Sequence, residues 1–112
     1  MKKRIFKFQL LIATLAIISS VPSFAGDAAA GKEKAALCLT CHGEGNTVVG
    51  VGTPIISGQY RDYLVHAMKS YRSGARNNAI MVGFSSNLTD KDIEDIAAFY
   101  SEMDSQLFTP IE

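Results

Sequence analysis

Several features are missing from this 112-residue sequence, and each absence narrows what the chain can be. It has only two cysteines, Cys38 and Cys41, so no second pair competes for the chemistry that they carry. Its longest mainly apolar run covers residues 10–21, whereas a helix needs about 20 apolar residues to span a bilayer. We find no internal repeat and no alternating pattern typical of β-strands. The chain is therefore expected to form helices.

The sequence also has no excess of positive charge. It carries 11 Lys and Arg against 11 Asp and Glu, but four of the basic residues lie within residues 1–25. Residues 26–112 therefore hold 7 basic and 11 acidic side chains, a net charge of −4. Nucleic acid is not expected as a partner, because its phosphates require a basic surface. A protein partner with a basic or mixed surface fits this charge better.

The first 25 residues have the pattern of a secretory signal peptide. Four basic residues in positions 2–7 precede the apolar run, and Ser23-Phe24-Ala25 forms a small-x-small cleavage site. We therefore predict a cleaved signal over residues 1–25, a mature single domain over residues 26–112, and a periplasmic location. An uncleaved membrane anchor is the alternative interpretation.

The segment Cys38-Leu39-Thr40-Cys41-His42 has the C-x-x-C-H spacing of c-type haem attachment. Residues i and i+3 share one helix face, so both thiols can form thioether bonds to one macrocycle, with His42 placed to bind the iron. A thioredoxin-like redox pair would need a βαβ context, which is not visible. A plain disulfide or half of a zinc site would also use two cysteines at this spacing. Zinc would need a second ligand pair, which His66 alone does not supply.

The periodicity predicts three helices. Asp27 can cap a first helix that starts at residue 28, continues to residue 37 and runs into the cysteine motif. Gly43 and Gly45 end it. A second helix covers residues 59–73 and ends at Gly74. Its expected apolar stripe consists of Tyr60, Tyr63, Leu64, Ala67, Met68 and Tyr71.

The third predicted helix starts at Thr89, with Asp92 placed to complete an N-terminal capping box. Its expected buried face consists of Ile93, Ile96, Ala97 and Tyr100. Residues 43–58 and 75–88 are expected to be loops, and the chain is expected to fray from Asp104. A domain as small as the mature one buries little apolar surface and often needs a cross-link or a bound cofactor for stability. A covalent haem would meet this need, so the haem-free polypeptide should fold poorly.

Four motifs follow one another along the chain. They are Asp27-x-x-x-Gly31 before the haem segment, Pro54 with Gly58-Gln59, Tyr63-Leu64 with Tyr71-Arg72-x-Gly74-x-Arg76, and Leu88-Thr89-Asp90-x-Asp92-Ile93 through Tyr100. In this order they resemble a class I cytochrome c of the small bacterial periplasmic monohaem type, or one half of the tandem dihaem cytochromes c. The resemblance covers residues 27–103 and implies an all-α fold whose helices pack around one covalently bound haem.

The resemblance implies roles for individual residues. Cys38 and Cys41 would carry the haem, His42 would be the proximal iron ligand, and Met81 the distal one. Pro54 would offer its backbone carbonyl to the other ring nitrogen of His42, which fixes the ring orientation. The alternative for Pro54 is a simple loop proline.

Other residues compete with Met81 or support the fold. Met68 is expected in the apolar stripe of its helix, Met103 lies near the frayed end with little to hold it, and His66 is expected to point outward. Gly31 would be the point where the first and last helices touch, against Phe99 or Tyr100.

The implied function is one-electron transfer rather than catalysis, because a His/Met iron leaves no open position and methionine favours the ferrous form. The electrons would pass from a respiratory reductase or dehydrogenase to a terminal acceptor. The alternative is the haem subunit of a complex similar to flavocytochrome c sulfide dehydrogenase. A haem-based sensor or peroxidase is a third class and would need a vacant distal site.

Overall fold

A computed structural model describes residues 25–45 and 52–104, which form five helices and no β-strand. The predicted all-α class is confirmed, and no helix within these residues is long and apolar enough to cross a membrane. The described helices are α1 Ala28–Lys34, α2 Ala36–His42, α3 Arg61–Ser73, α4 Ala79–Ser85 and α5 Asp90–Ser101. Three expectations fall wholly or partly outside the described residues: almost all of the signal segment, residues 46–51 of the expected loop over residues 43–58, and the tail beyond residue 104.

The predicted first helix is divided into α1 and α2. Asp27 caps α1 as expected, because its carboxylate accepts hydrogen bonds from the backbone N–H groups of Ala29 and Ala30. Ala35 interrupts the helix with ψ at 3° and is completely buried, so the chain bends where its methyl group enters the core. Gly43 ends α2 with φ at 67°, a conformation that favours glycine.

A close backbone contact joins α1 to α5 at Gly31. A Cβ placed on Gly31 would lie 2.0 Å from the carbonyl oxygen of Asp95 and 2.9 Å from the Cβ of Phe99. The predicted contact with Phe99 is confirmed, whereas the contact with the Asp95 backbone was not predicted. Only glycine allows the two helix backbones to come this close.

Asp95 is fully buried at the same junction and was missed by the sequence analysis. Its carboxylate accepts hydrogen bonds from the backbone N–H of Asp27 at 2.8 Å and from the ammonium groups of Lys34 at 2.8 Å and Lys91 at 2.9 Å. The hydrogen bond from Lys34 is the first cause that lowers the pKa of Asp95, followed by the one from Asp27. A buried carboxylate is stable only with such partners.

Helix α3 begins two residues later than predicted, and Gly74 ends it in a left-handed conformation as expected. Leu64 and Ala67 are buried, but Tyr60 is 79% exposed and Tyr63 is 47% exposed. The predicted stripe is therefore wrong at Tyr60, which precedes the helix. Tyr63 is confirmed as a member, because it borders the same cavity as Leu64, Ala67, Met68 and Tyr71. Periodicity shows which residues share a face, but not how far that face is covered.

Helix α4 corrects the prediction of a 14-residue loop over residues 75–88. Asn78 caps it by accepting hydrogen bonds from the backbone N–H groups of Ile80 and Met81, both at 3.1 Å. The loop prediction relied on the two asparagines and on Gly83. The helix tolerates Gly83, and Asn78 favours helix formation because asparagine is a preferred N-cap residue.

Helix α5 agrees with the prediction. Thr89 and Asp92 form the capping box, and all four residues of the expected inner face are buried. A core cluster joins this helix to α3 and to the bend between α1 and α2. The cluster consists of Ala35, Leu64, Ile96, Ala97 and Tyr100.

Candidate functional site

Two cavities, of about 310 Å³ and 230 Å³, share part of their walls. The volume of the first cavity lies at the lower end of the range for small-molecule and cofactor sites, and the second cavity is smaller. Residues from α2, from the segment after residue 52 and from the start of α4 line both cavities, so together they form one cleft. The shared residues are Cys38, His42, Pro54, Asn78 and Met81.

His42, the last residue of α2, is buried. Its Nδ1 lies 2.9 Å from the carbonyl oxygen of Pro54. A carbonyl only accepts hydrogen bonds, so Nδ1 carries the proton and donates it. In the neutral imidazole, this leaves the free electron pair on the other ring nitrogen, Nε2. The contact fixes both the tautomer and the orientation of the imidazole.

Cys38 and Cys41 lie one turn apart on α2, and both are free thiols. Cys38 lines both cavities, whereas Cys41 is exposed and lines only the first. Burial raises the pKa of the Cys38 thiol. The thiols therefore differ in accessibility, but both border the same cleft as His42.

Met81 is the third residue of α4 and is half-buried against both cavities. Met68 lines only the second cavity and packs against the core, while His66 is exposed and lines neither. Met103 also lines neither cavity, and its sulfur accepts a hydrogen bond from the Ser57 hydroxyl at 3.2 Å. The expectation that little holds Met103 is wrong, since it packs against the core as well.

Tyr100 lines the second cavity and is 1% exposed. Within the described residues its hydroxyl has no hydrogen-bond partner, and burial strongly raises its pKa. Buried hydroxyls in proteins normally have a partner. This orphaned hydroxyl at the cavity wall therefore indicates that a polar group of a ligand, or an ordered water, completes the site.

The donor set and the shape of the cleft fit a covalently attached haem. A haem needs two thiols at one edge, a nitrogen donor, a second axial donor and apolar walls. The cleft offers Cys38, Cys41, His42 and Met81, and most of its other walls are apolar side chains. All four residues were identified from the sequence, and the structure brings them to the first cavity.

The sequence analysis gave no role at the site to several other residues that line the cleft. Asn78 borders both cavities, and its signal was the preference of asparagine for helix N-caps. Arg76 lines the second cavity, with its guanidinium 4.9 Å from the ring centre of Tyr71 and 5.9 Å from that of Tyr63. Ile80 and Phe84 line the first cavity and had been assigned to a loop.

Comparison with known proteins gives the family. The cytochrome c family model matches residues 28–104. Cytochrome c-554(548) of Halomonas halodenitrificans is 42% identical over 83 residues, which are 71% of this chain and 100% of that protein. Cytochrome c4 of Pseudomonas aeruginosa is 38% identical over 91 residues, which are 81% of this chain but 45% of that protein.

A further relative carries a functional name. The thiosulfate dehydrogenase electron acceptor of Thiomonas intermedia is 34% identical over 76 residues, 67% of this chain and 35% of that protein. The chain thus spans all of one relative and about half or less of the other two. With a family model that covers most of its length, the chain belongs to the cytochrome c family, and it is an electron-transfer protein that carries a covalent haem c with its iron.

Proposed function

We propose that residues 26–112 form a periplasmic one-electron carrier whose haem is attached to Cys38 and Cys41 and whose iron is bound by His42 and Met81. In this proposal residues 1–25 are the signal peptide that is removed after export. The bound haem supplies the one-electron chemistry of its iron. The chain would hold the cofactor through its two cysteines, and His42 and Met81 would bind the iron.

The observation that carries this proposal is that His42 and Met81 line the same two cavities as Cys38. The hydrogen bond to Pro54 supports His42 as a ligand, because it occupies Nδ1 and holds the ring in place, so that Nε2 is the nitrogen available to the iron. Asn78 supports Met81, because its bond to the Met81 backbone N–H anchors the helix turn that presents this side chain. Met68, Met103 and His66 have no comparable position.

The ligand assignment is tested with two methionine variants. Met81→Ala should abolish the weak absorption band at the red edge of the spectrum that accompanies sulfur–ferric-iron ligation, lower the reduction potential and allow carbon monoxide to bind. Met68→Leu is the matched control, because it preserves volume and should cost less than about 1.5 kcal/mol with the band intact. A band that persists in Met81→Ala and disappears in Met68→Leu would reverse the assignment.

The proposed carrier takes electrons from a respiratory reductase or dehydrogenase and passes them to a terminal acceptor. A dehydrogenase is supported as the donor by relatives named thiosulfate dehydrogenase electron acceptors in Thiomonas intermedia and Stutzerimonas stutzeri. The second candidate is the haem subunit of a complex like flavocytochrome c sulfide dehydrogenase. Co-purification with a flavoprotein in a stable complex would favour it over a freely diffusing monomer.

A further inference from the structure

Gly26 and Asp27, the two residues that follow the predicted cleavage site, are packed against α5. Gly26 is half-buried, and a Cβ placed on it would overlap the backbone carbonyl of Glu94 and lie 2.8 Å from the backbone nitrogen of Asp95. Ala25, on the other side of the predicted cleavage site, is exposed. The chain thus passes from exposed to tightly packed across the one peptide bond that the proposed cleavage would break.

Two sets of hydrogen bonds hold Asp27 in this position. Its backbone N–H donates to the buried carboxylate of Asp95 at 2.8 Å. Its own carboxylate caps α1 by accepting from the N–H groups of Ala29 and Ala30 at 2.9 and 3.1 Å. Lifting Asp27 away from α5 would take one donor from a buried carboxylate and would remove the cap of α1. Both losses cost free energy, so this segment opens rarely in the folded domain.

Removal of the signal peptide requires that the same segment be open. The reaction adds water across the bond between the Ala25 carbonyl carbon and the Gly26 nitrogen, which leaves a carboxylate on Ala25 and an α-ammonium group on Gly26. A peptidase binds an extended chain on both sides of the bond that it cleaves, and it cuts a folded protein through the fraction of molecules that are locally open. In the folded domain, α5 already occupies the contact surface of Gly26 and Asp27.

We propose that removal of residues 1–25 has to precede the docking of α1 on α5, so that folding closes the cleavage site. A chain that is cleaved first is released, whereas a chain that folds first keeps residues 1–25 and stays anchored through them. The order of the two steps therefore decides between the released carrier and the anchored form. This inference rests on the proposed function, because it assumes that residues 1–25 are a signal peptide.

The test compares two precursors, each the full chain with its haem, prepared from cells depleted of signal peptidase. One is the unaltered chain. The other carries a spacer of about six residues between Ala25 and Gly26, which spans about 20 Å when extended and moves the bond away from the domain. The spacer begins with Gly-Asp, so both precursors have the same residues around the bond. Purified signal peptidase is added in detergent micelles, and mass spectrometry follows the release of the mature domain.

We expect the unaltered precursor to be cleaved about a hundredfold more slowly than the spacer precursor, because only its locally open molecules react. A difference of less than about tenfold would overturn the proposal, and a larger one supports it.

A methyl group at residue 26 should reopen the site. Gly26→Ala would push this segment away from α5 while the small-x-small motif up to Ala25 stays unchanged, so the folded precursor should be cleaved about tenfold faster than the unaltered one. Gly83→Ala is the matched control, because nothing lies within 4 Å of a Cβ at that position, and its rate should stay within about twofold of the unaltered rate. Equal rates for the two variants would overturn the role of the Gly26 contact.

Further readouts separate the remaining outcomes. Circular dichroism of each precursor, compared with the mature holoprotein, shows whether the domain is folded, and if Gly26→Ala is not, the spacer precursor decides alone. A spacer precursor that is not cleaved after Ala25 would show that residues 1–25 are not a removable signal, which contradicts the proposed function. If both precursors are cleaved after Ala25 at similar rates, the signal peptide stands and only this inference fails.

Discussion

At the scale of single residues, Gly31 and Gly83 both lie within helices but differ in the space around them. A side chain on Gly31 would meet the Asp95 backbone and Phe99, whereas nothing lies within 4 Å of a Cβ on Gly83. Backbone atoms cannot rotate away as the end of a side chain can. An alanine at residue 31 would therefore have to push α1 away from α5.

We predict that Gly31→Ala destabilises the holoprotein by about 3 kcal/mol, at the upper end of overpacking effects. Gly83→Ala is the matched control and should stabilise by about 0.5–1 kcal/mol, because alanine is the better helix former. Urea unfolding followed by circular dichroism measures both. Equal effects of the two substitutions would show that the contact between α1 and α5 is loose enough to admit a methyl group.

Individual residues also show what the sequence can and cannot predict. The C-x-x-C-H spacing is local, so it identified Cys38, Cys41 and His42 without knowledge of the fold. Asp95 carries no such signal, because its partners Asp27 and Lys34 are more than 60 positions away. An aspartate in the middle of an amphipathic helix suggests a solvated side chain until the packing of α1 is known.

At the scale of elements, Asp95 holds α1 against α5. We predict that Asp95→Asn destabilises the holoprotein by about 2 kcal/mol, because charge-assisted hydrogen bonds from two lysines are lost while those lysines can turn to water. Asp62→Asn is the control, since Asp62 is exposed in the first turn of α3 and should contribute less than about 1 kcal/mol. Urea unfolding at neutral pH measures both. Similar losses would contradict the role of Asp95 at this junction.

The start of α5 should make stability depend on pH in the acid range. Hydrogen bonds from Lys34 and then Thr89 lower the pKa of Asp92 from 3.8 to about 2. Because the folded pKa is depressed, this contribution is complete above about pH 4 and is lost as the pH falls towards about 2. Arg72 lowers the pKa of Asp90 in the same direction.

Asp92→Asn should therefore be less stable than the unaltered protein at pH 7, and the two should converge near pH 2. The difference between their urea midpoints, measured across this range, isolates Asp92 from other acid-sensitive groups. A difference that stays constant with pH would show that Asp92 does not titrate through the folding equilibrium.

Helix α4 shows why one element escaped prediction. It has only seven residues, and a helix of that length has little stability of its own. Its contacts with α3 stabilise it, and these contacts exist only in the tertiary fold. The longer helices α3 and α5 were recognised because their apolar spacing repeats over three turns or more. The exposure of Tyr60 and Tyr63 also depends on the tertiary fold, so it could not be predicted from the sequence.

At the scale of the whole molecule, the cofactor has a structural task as well as a redox task. The cleft separates α2 from α4 and is bordered by the orphaned hydroxyl of Tyr100. A bound haem would cover apolar surface on both helices, which a small domain needs for stability. We therefore retain the expectation that the haem-free polypeptide folds poorly.

The central claim is that the haem is bonded to Cys38 and Cys41, and mass spectrometry of the denatured, exported holoprotein tests it most directly. The intact mass should equal residues 26–112 plus one haem that acid–acetone extraction does not remove. Lys34 and Arg61 are consecutive tryptic sites, so the haem mass should appear on the peptide of residues 35–61. Haem that is extracted by acid–acetone, or a peptide 35–61 with two unmodified thiols, would contradict this claim.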